Sequence, residues 1–197
     1  MTLETFPLGD GHALAIGRLP DGLAPDFEAL WAVHPDDFHE ITMGGRPVRT
    51  PRWQQAYGAD YHYTGRVNRA LPTPGLLQPL LAWAREAVDP RLNGLLLNWY
   101  DGAKGHYIGR HRDSIVGVVP ETPIVTVSLG ETRAFRMRPW RAPGFVDVEA
   151  RDGSVIVIPW ATNRAWTHEV PKAARYAGRR ISVTLRAFEP AGGDNPG

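Results

Sequence analysis

The sequence predicts a mainly β fold with flanking helices, in which two sheets pack face to face as a jelly roll, the double-stranded β-helix. Three observations carry this. Short β-rich runs recur from Ile124 to Phe188, each set off by Gly, Pro or Asn; the helical patterns precede them; and strands and helices never alternate as a parallel sheet requires. At 197 residues the chain is about one domain, long enough to bury well over half of its unfolded surface without staples.

Taken in order, His12 to Ile16 predicts a first strand, and Ala24-Pro25-Asp26 ahead of Phe27, Leu30 and Trp31 predicts a helix with proline in its first turn. Ile41-Thr42-Met43, Gly44-Gly45-Arg46-Pro47 and Val48-Arg49 predict a hairpin. Pro72, Pro74 and Gly75 break the chain. Leu76, Leu77, Leu80, Leu81, Trp83, Ala84 and Val88 then follow at helical spacing, the apolar stripe of a helix packed on a sheet. Pro79 falls in its first turn, where a missing donor is tolerated, and Asp89-Pro90 ends it. Leu95-Leu96-Leu97 is the continuous apolar run of a strand buried on both faces, and Asp101-Gly102 with Lys104-Gly105 marks a turn. Strands are expected next over Ile124 to Leu129, Arg133 to Met137, Phe145 to Ala150, Ser154 to Ile158, Trp166 to Val170 and Ile181 to Phe188. The expected organisation is one catalytic domain over residues 1–190 and a disordered tail over 191–197.

A hydrophobic fraction of 43% and a charged fraction of 22% are those of a soluble globular protein. Cysteine is absent, which excludes disulfides and thiolate metal sites. No apolar run approaches membrane-spanning length, so no membrane partner is expected, and a cytoplasmic monomer is the default. The formal net charge of +1 does not announce a nucleic-acid binder. Its distribution is uneven, however: acid prevails over the first 60 residues, and base from Arg133 onward through Arg136, Arg138, Arg141, Arg164, Lys172, Arg175 and Arg179. Such local basic clusters can track a phosphate backbone.

The chemistry concentrates around His111-Arg112-Asp113. In an extended segment His111 and Asp113 point to one side and Arg112 to the other. One imidazole and one carboxylate so placed are half of the two-histidine, one-carboxylate site of non-haem iron(II) oxygenases, which leaves positions open for oxygen and a co-substrate. A second histidine is needed, and His168 in WTHEVP is the sole histidine after His111. In the last strand, Arg180, Ser182, Thr184 and Arg186 alternate with Ile181, Val183 and Leu185. That polar face is either an ordinary solvated one or a receptor for a small dicarboxylate, since guanidinium binds carboxylate bidentately and keeps its charge when buried.

These residues resemble a known family. Asn98-Trp99-Tyr100, His111-Arg112-Asp113, PIVTVSLG from Pro123 to Gly130, a late histidine and RISVTLR from Arg180 to Arg186 occur in the order seen in AlkB-like iron(II)/2-oxoglutarate dioxygenases. Upstream, Thr50-Pro51-Arg52, Tyr57-Gly58 and Tyr61-His62-Tyr63-Thr64-Gly65 look like the nucleotide-recognition segment of the human-type DNA repair members, within about residues 40–66. The resemblance covers roughly residues 40 to 188 and implies the jelly roll of the 2-oxoglutarate oxygenases. It implies iron(II) on His111, Asp113 and His168, with 2-oxoglutarate and dioxygen as co-substrates. Arg180 would meet the far carboxylate of 2-oxoglutarate and Arg186 the end nearer the metal, with Asn98 and Tyr100 as hydrogen-bond donors and Ser182 between the arginines. Arg52, Tyr61, Tyr63, Arg112 and Ile115 would face the substrate, an alkylated base in DNA or RNA, with Ile115 standing where repair members carry an acidic residue. The implied reaction is oxidative demethylation with release of succinate, carbon dioxide and formaldehyde. The alternative is an oxygenase of the same fold acting on a protein side chain or a small metabolite.

Overall fold

Apolar alternation in the central strands builds two antiparallel sheets that face each other across a shared interior. The computed structural model describes residues 2–63 and 66–190. In chain order the elements are β1 (Glu4–Gly9), β2 (His12–Arg18), α1 (Phe27–Trp31), β3 (Glu40–Met43), β4 (Arg46–Arg49), β5 (Trp53–Tyr57), β6 (Tyr61–Tyr63) and β7 (Arg66–Asn68). Then come α2 (Gln78–Ala87), β8 (Gly94–Asp101), β9 (Ile108–His111), β10 (Ile124–Gly130), β11 (Arg133–Pro139), β12 (Val146–Ala150), β13 (Ser154–Ile158), α3 (Trp160–Ala165), β14 (Trp166–Val170) and β15 (Arg179–Arg186).

The major sheet has seven strands in the order β1-β2-β13-β10-β15-β8-β5, and the minor sheet four in the order β12-β11-β14-β9. This is the expected jelly roll. Outward side chains of the major sheet, among them Leu97, Trp99, Val127, Val183 and Leu185, pack under the stripe Leu77, Leu80, Leu81 and Ala84 of α2 and its preceding turn. Inward side chains, Tyr100, Ile124, Ile156 and Ile158, meet Phe135, Met137, Val148, Trp166 and Val170 of the minor sheet. β8 is buried on both faces, as its leucine run expects. Pro79 occupies the first turn of α2. The β3–β4 hairpin turns on Gly44 and Gly45, both at positive φ (55° and 78°), the conformation that a two-residue hairpin loop of this hand demands.

Four features differ from expectation. β1 carries Pro7 and lies at the edge of the major sheet, the place where a strand tolerates a missing donor, so its sequence lacks a strand signature. β5 is nearly all buried although it reads WQQAY, because Gln54 turns toward the inter-sheet cleft. The segment His111 to Asp113 is not one strand: β9 ends at His111, and Asp113 lies beyond it. Four of the basic residues named from Arg133 onward are tied to carboxylates and so are not free to meet an anion. Arg133 is buried against Glu131 at 2.7 Å, Arg136 holds Asp147 at 2.7 Å, Arg138 holds Glu169 at 2.9 Å and Arg179 holds Glu28. The expected tail, 191–197, lies outside the described residues, as do Thr64 and Gly65. Among the described residues no helix is long and apolar enough to cross a membrane.

Candidate active site

At the open end of the minor sheet, β9 and β14 run antiparallel with His111 paired to His168 across the ladder. Their side chains therefore lie together, ring centroids 4.3 Å apart. Asp113 reaches them from the turn after β9, where Asn163 of α3 grips its backbone: the Asp113 N–H donates to Asn163 Oδ1 at 3.1 Å, and Asn163 Nδ2 donates to the Asp113 carbonyl at 3.2 Å. Candidate ligand atoms of the three residues all lie within 4.8 Å of one another, the one such cluster among the described residues. His111 Nε2 is 3.5 Å and His168 Nε2 3.7 Å from Asp113 Oδ1. Nδ1 of His111 is 2.9 Å from the Gly109 carbonyl, so the ring donates there and turns its other nitrogen to the cluster.

Electrostatics prepare His168 and Asp113 as ligands. Burial, then the neighbouring His111, push His168 down to about 3 against the pull of Asp113, so its imidazole is neutral and presents a lone pair. Phe135 stacks on it at 5.3 Å, and its Nδ1 is buried without a partner. Burial opposes ionisation of Asp113, but Arg186, 2.5 Å from Oδ2, together with both histidines holds the carboxyl well below the usual range. Two imidazoles and one carboxylate are the donor set for a divalent transition metal with open positions.

Behind the cluster the cleft narrows toward a surplus of cations. Arg180 is 1% exposed, donates from Nη2 to Ser128 Oγ at 2.9 Å, and lies over the Tyr100 ring at 5.0 Å. Its Nε and Nη1 have no partner, and neither do Nε and Nη1 of Arg186. Burial lowers the Arg180 pKa, the sign of a charge taken out of water without its counter-ion. Ser182 and Thr184 stand between the two arginines on the same face, opposite Asn98 and Leu96 of β8. A buried guanidinium with free donors calls for an anion of matching geometry, and a small dicarboxylate fits.

Arg52, expected among the residues facing a nucleotide, sits elsewhere. It is 4% exposed, donates to Asn98 Oδ1 at 2.7 Å and to Gln54 Oε1 at 3.0 Å, and so belongs to the inner cleft. This occupies the Asn98 carbonyl oxygen and leaves its amide nitrogen as the donor. Toward the opening, Tyr61 and Tyr63 stack with centroids 6.1 Å apart, and Tyr63 stands edge-on to His111 at 5.8 Å. Tyr61 is buried with its hydroxyl 3.4 Å from Asp113 Oδ1; burial, then that carboxylate, raise its pKa, so it stays a donor. Ile115 is 48% exposed at the rim. Arg112 points away from the cluster and lies over Trp140 at 4.1 Å. Sequence reasoning missed Asn163, Gln54, Ser128 and Phe135, which hold or pack against the named groups. None belongs to a spacing pattern, and Asn163 stands among other polar residues, Thr162 and Arg164, that give it no distinguishing signal.

The model of the 2OG-Fe(II) oxygenase superfamily matches residues 33–186. The mouse protein named DNA oxidative demethylase ALKBH2 is 28% identical over 162 residues, 77% of this chain and 67% of its own length. Its human counterpart is 31% identical over 159 residues, covering 74% of this chain and 60% of itself. The rat alpha-ketoglutarate-dependent dioxygenase alkB homolog 3 is 28% identical over 160 residues, 75% of this chain and 53% of its own. The chain thus spans between about half and two thirds of these relatives' length. The solved structure of OsALKBH1 superposes with a TM-score of 0.51 over 81% of this chain and 89% of that one, at 14% identity, so the two share a fold. With its family match and its His111, Asp113 and His168 cluster, the chain belongs to the 2OG-Fe(II) oxygenase superfamily, as an AlkB-like dioxygenase whose cofactors are iron(II) and 2-oxoglutarate.

Proposed function

We propose that this protein oxidatively demethylates alkylated bases in DNA or RNA, releasing succinate, carbon dioxide and formaldehyde. The observation that carries the reading is the stacked pair Tyr61 and Tyr63 opening directly onto His111. Two parallel aromatic faces beside an oxidising centre suit a planar base, which must leave its stack to reach such a depth. The names of the relatives, demethylases of DNA, point the same way. The reading takes residues 1–190 as one catalytic domain with its recognition segment at about 40–66.

His111, Asp113 and His168 hold the iron in this reading. Bound iron and 2-oxoglutarate together supply the oxidation of a C–H bond, and oxidation of an N-methyl carbon leads to loss of formaldehyde. The chain's residues do the rest. Arg180, its free donors aimed into the cleft, pairs with the distal carboxylate, and Ser182 lies beside it. Arg186 is tied to Asp113 through Nη2 and keeps two donor nitrogens for the end nearer the metal. Asn98, oriented by Arg52, and Tyr100 complete the donors. Tyr63 and the rim residue Ile115 face the substrate, and Arg112 flanks the opening.

The test is formaldehyde release by the purified iron-loaded protein from methylated single- and double-stranded oligonucleotides. Release dependent on 2-oxoglutarate supports the reading. Succinate formation stimulated by a methylated peptide or a small metabolite, and by no oligonucleotide, would replace it.

A further inference from the structure

Outside the cleft, an open groove begins where the cleft ends: Tyr63, His111 and Asp113 line both. Its floor and walls add Arg110, Arg112, Arg164, Trp140, Ile115 and Val116. Charge in the groove is one-sided. Arg110 donates to Thr167 Oγ1 at 2.9 Å and to the Pro139 carbonyl at 3.0 Å, and Arg112 to the Arg164 carbonyl at 2.9 Å. All three acceptors are neutral. Elsewhere on the same sheet Arg136 and Arg138 are each paired with a carboxylate, whereas no ion pair engages Arg110, Arg112 or Arg164 among the described residues. The groove's own carboxylate is Asp113, buried and held by Arg186.

The second feature is Trp140, pinned by its backbone N–H on the Ala165 carbonyl at 2.8 Å. Arg112 lies over its ring, Arg141 approaches at 5.5 Å, and the residue is still 43% exposed. An indole held in place among unpaired guanidinium groups has the two halves of a single-strand site: a stacking platform and an electrostatic track. A duplex would keep its bases from the indole, since each is already stacked on its neighbours.

We propose that this groove is a flanking-strand subsite, which takes one unstacked base of single-stranded nucleic acid on Trp140 and the adjoining phosphates on Arg110, Arg112 and Arg164. The proposal rests on the demethylase reading and adds to it a strand preference: single-stranded substrate is favoured because the neighbouring base must also be free. Ile115 and Val116, 48% and 60% exposed, form the apolar edge over which that strand passes into the cleft.

The experiment compares iron-loaded wild type, Trp140→Ala, Trp140→Phe and Arg164→Ala on a methylated single-stranded oligonucleotide and on the same methylated base as a free nucleotide, with enzyme in excess. Trp140→Ala should lower turnover efficiency on the oligonucleotide about five- to a hundredfold, the loss of one base–aromatic stack, and leave the free nucleotide untouched. Trp140→Phe should recover most of the loss. Arg164→Ala should reduce the slope of log affinity against log salt by about 0.7, one phosphate contact to a single strand. An equal loss on both substrates, or no loss on either, would overturn the subsite while leaving the demethylase reading intact. A wild type inactive on both nucleic-acid substrates would sink the reading and the subsite together. A Trp140→Ala defect confined to a methylated peptide would give the groove to protein.

Discussion

Arg180 holds its charge where water cannot reach it, donating to the Ser128 hydroxyl with the Tyr100 ring beside it. Lysine at this position would keep the charge and lose the fork, so Arg180→Lys should raise the KM for 2-oxoglutarate at least about tenfold with little change in kcat, a loss of about 1.4 kcal/mol or more in ground-state binding. An unchanged KM would remove Arg180 from the co-substrate. The charge at the rim is testable too. Asp113 is the one carboxylate lining the cleft, so a cationic methylated base finds only aromatic faces there. Ile115→Asp should raise the rate on N1-methyladenine relative to the neutral etheno-adenine by roughly twofold to fivefold, the scale of a half-exposed charge contact worth up to about 1 kcal/mol. A ratio that does not move, measured in one oligonucleotide sequence at one salt concentration, would place residue 115 away from the base.

At the scale of elements, α3 is the least conspicuous and the most consequential. At six residues it spans under two turns, too short for a period to register, and its sequence reads as a link between strands. Yet Asn163 makes both hydrogen bonds that bring Asp113 to the histidines after β9 has ended. Asn163→Ala should leave the fold intact and weaken metal binding about ten- to a hundredfold, as loss of such supporting bonds does. Manganese titration of the variant checks this, and wild-type affinity would show that Asp113 positions itself. β13 is legible because its apolar run is bounded by turn residues, β14 because Trp166 and Val170 flank its polar centre and Pro171 closes it, and β15 because its alternation is strict. That alternation names the face bearing Arg180, Ser182, Thr184 and Arg186, but not its burial. A charged face in water and one lining an anion cleft have the same period, and only the packing of the minor sheet over β15 distinguishes them. For Arg52 the sequence offers a neighbourhood and no direction, since β5 is disguised by its glutamines.

Across the whole molecule, the free protein carries costs that ligands can relieve. Arg180 and Arg186 retain unpartnered donors in the interior, and Asp113 and the two histidines crowd three ligand groups together. Manganese at about a hundredfold over its dissociation constant should stabilise the fold by about 2.7 kcal/mol, or about 5–10 °C in Tm for a chain of this size. The gain should nearly vanish in His168→Ala; a full thermal shift in that variant would put the metal elsewhere. Among the basic residues that look like a nucleic-acid surface in the sequence, Arg133, Arg136, Arg138 and Arg179 are held by carboxylates, whereas Arg110, Arg112 and Arg164 line one groove with no ion pair among the described residues. The most direct test of the demethylase account is the stoichiometry of succinate and formaldehyde from iron-loaded protein given one N1-methyladenine oligonucleotide, with mass spectrometry of the strand. The account predicts that the oligonucleotide stimulates succinate formation, that formaldehyde follows it one for one, and that the strand loses its methyl group. Succinate formed at the same rate with or without the oligonucleotide, and a strand that keeps its methyl group, would contradict it.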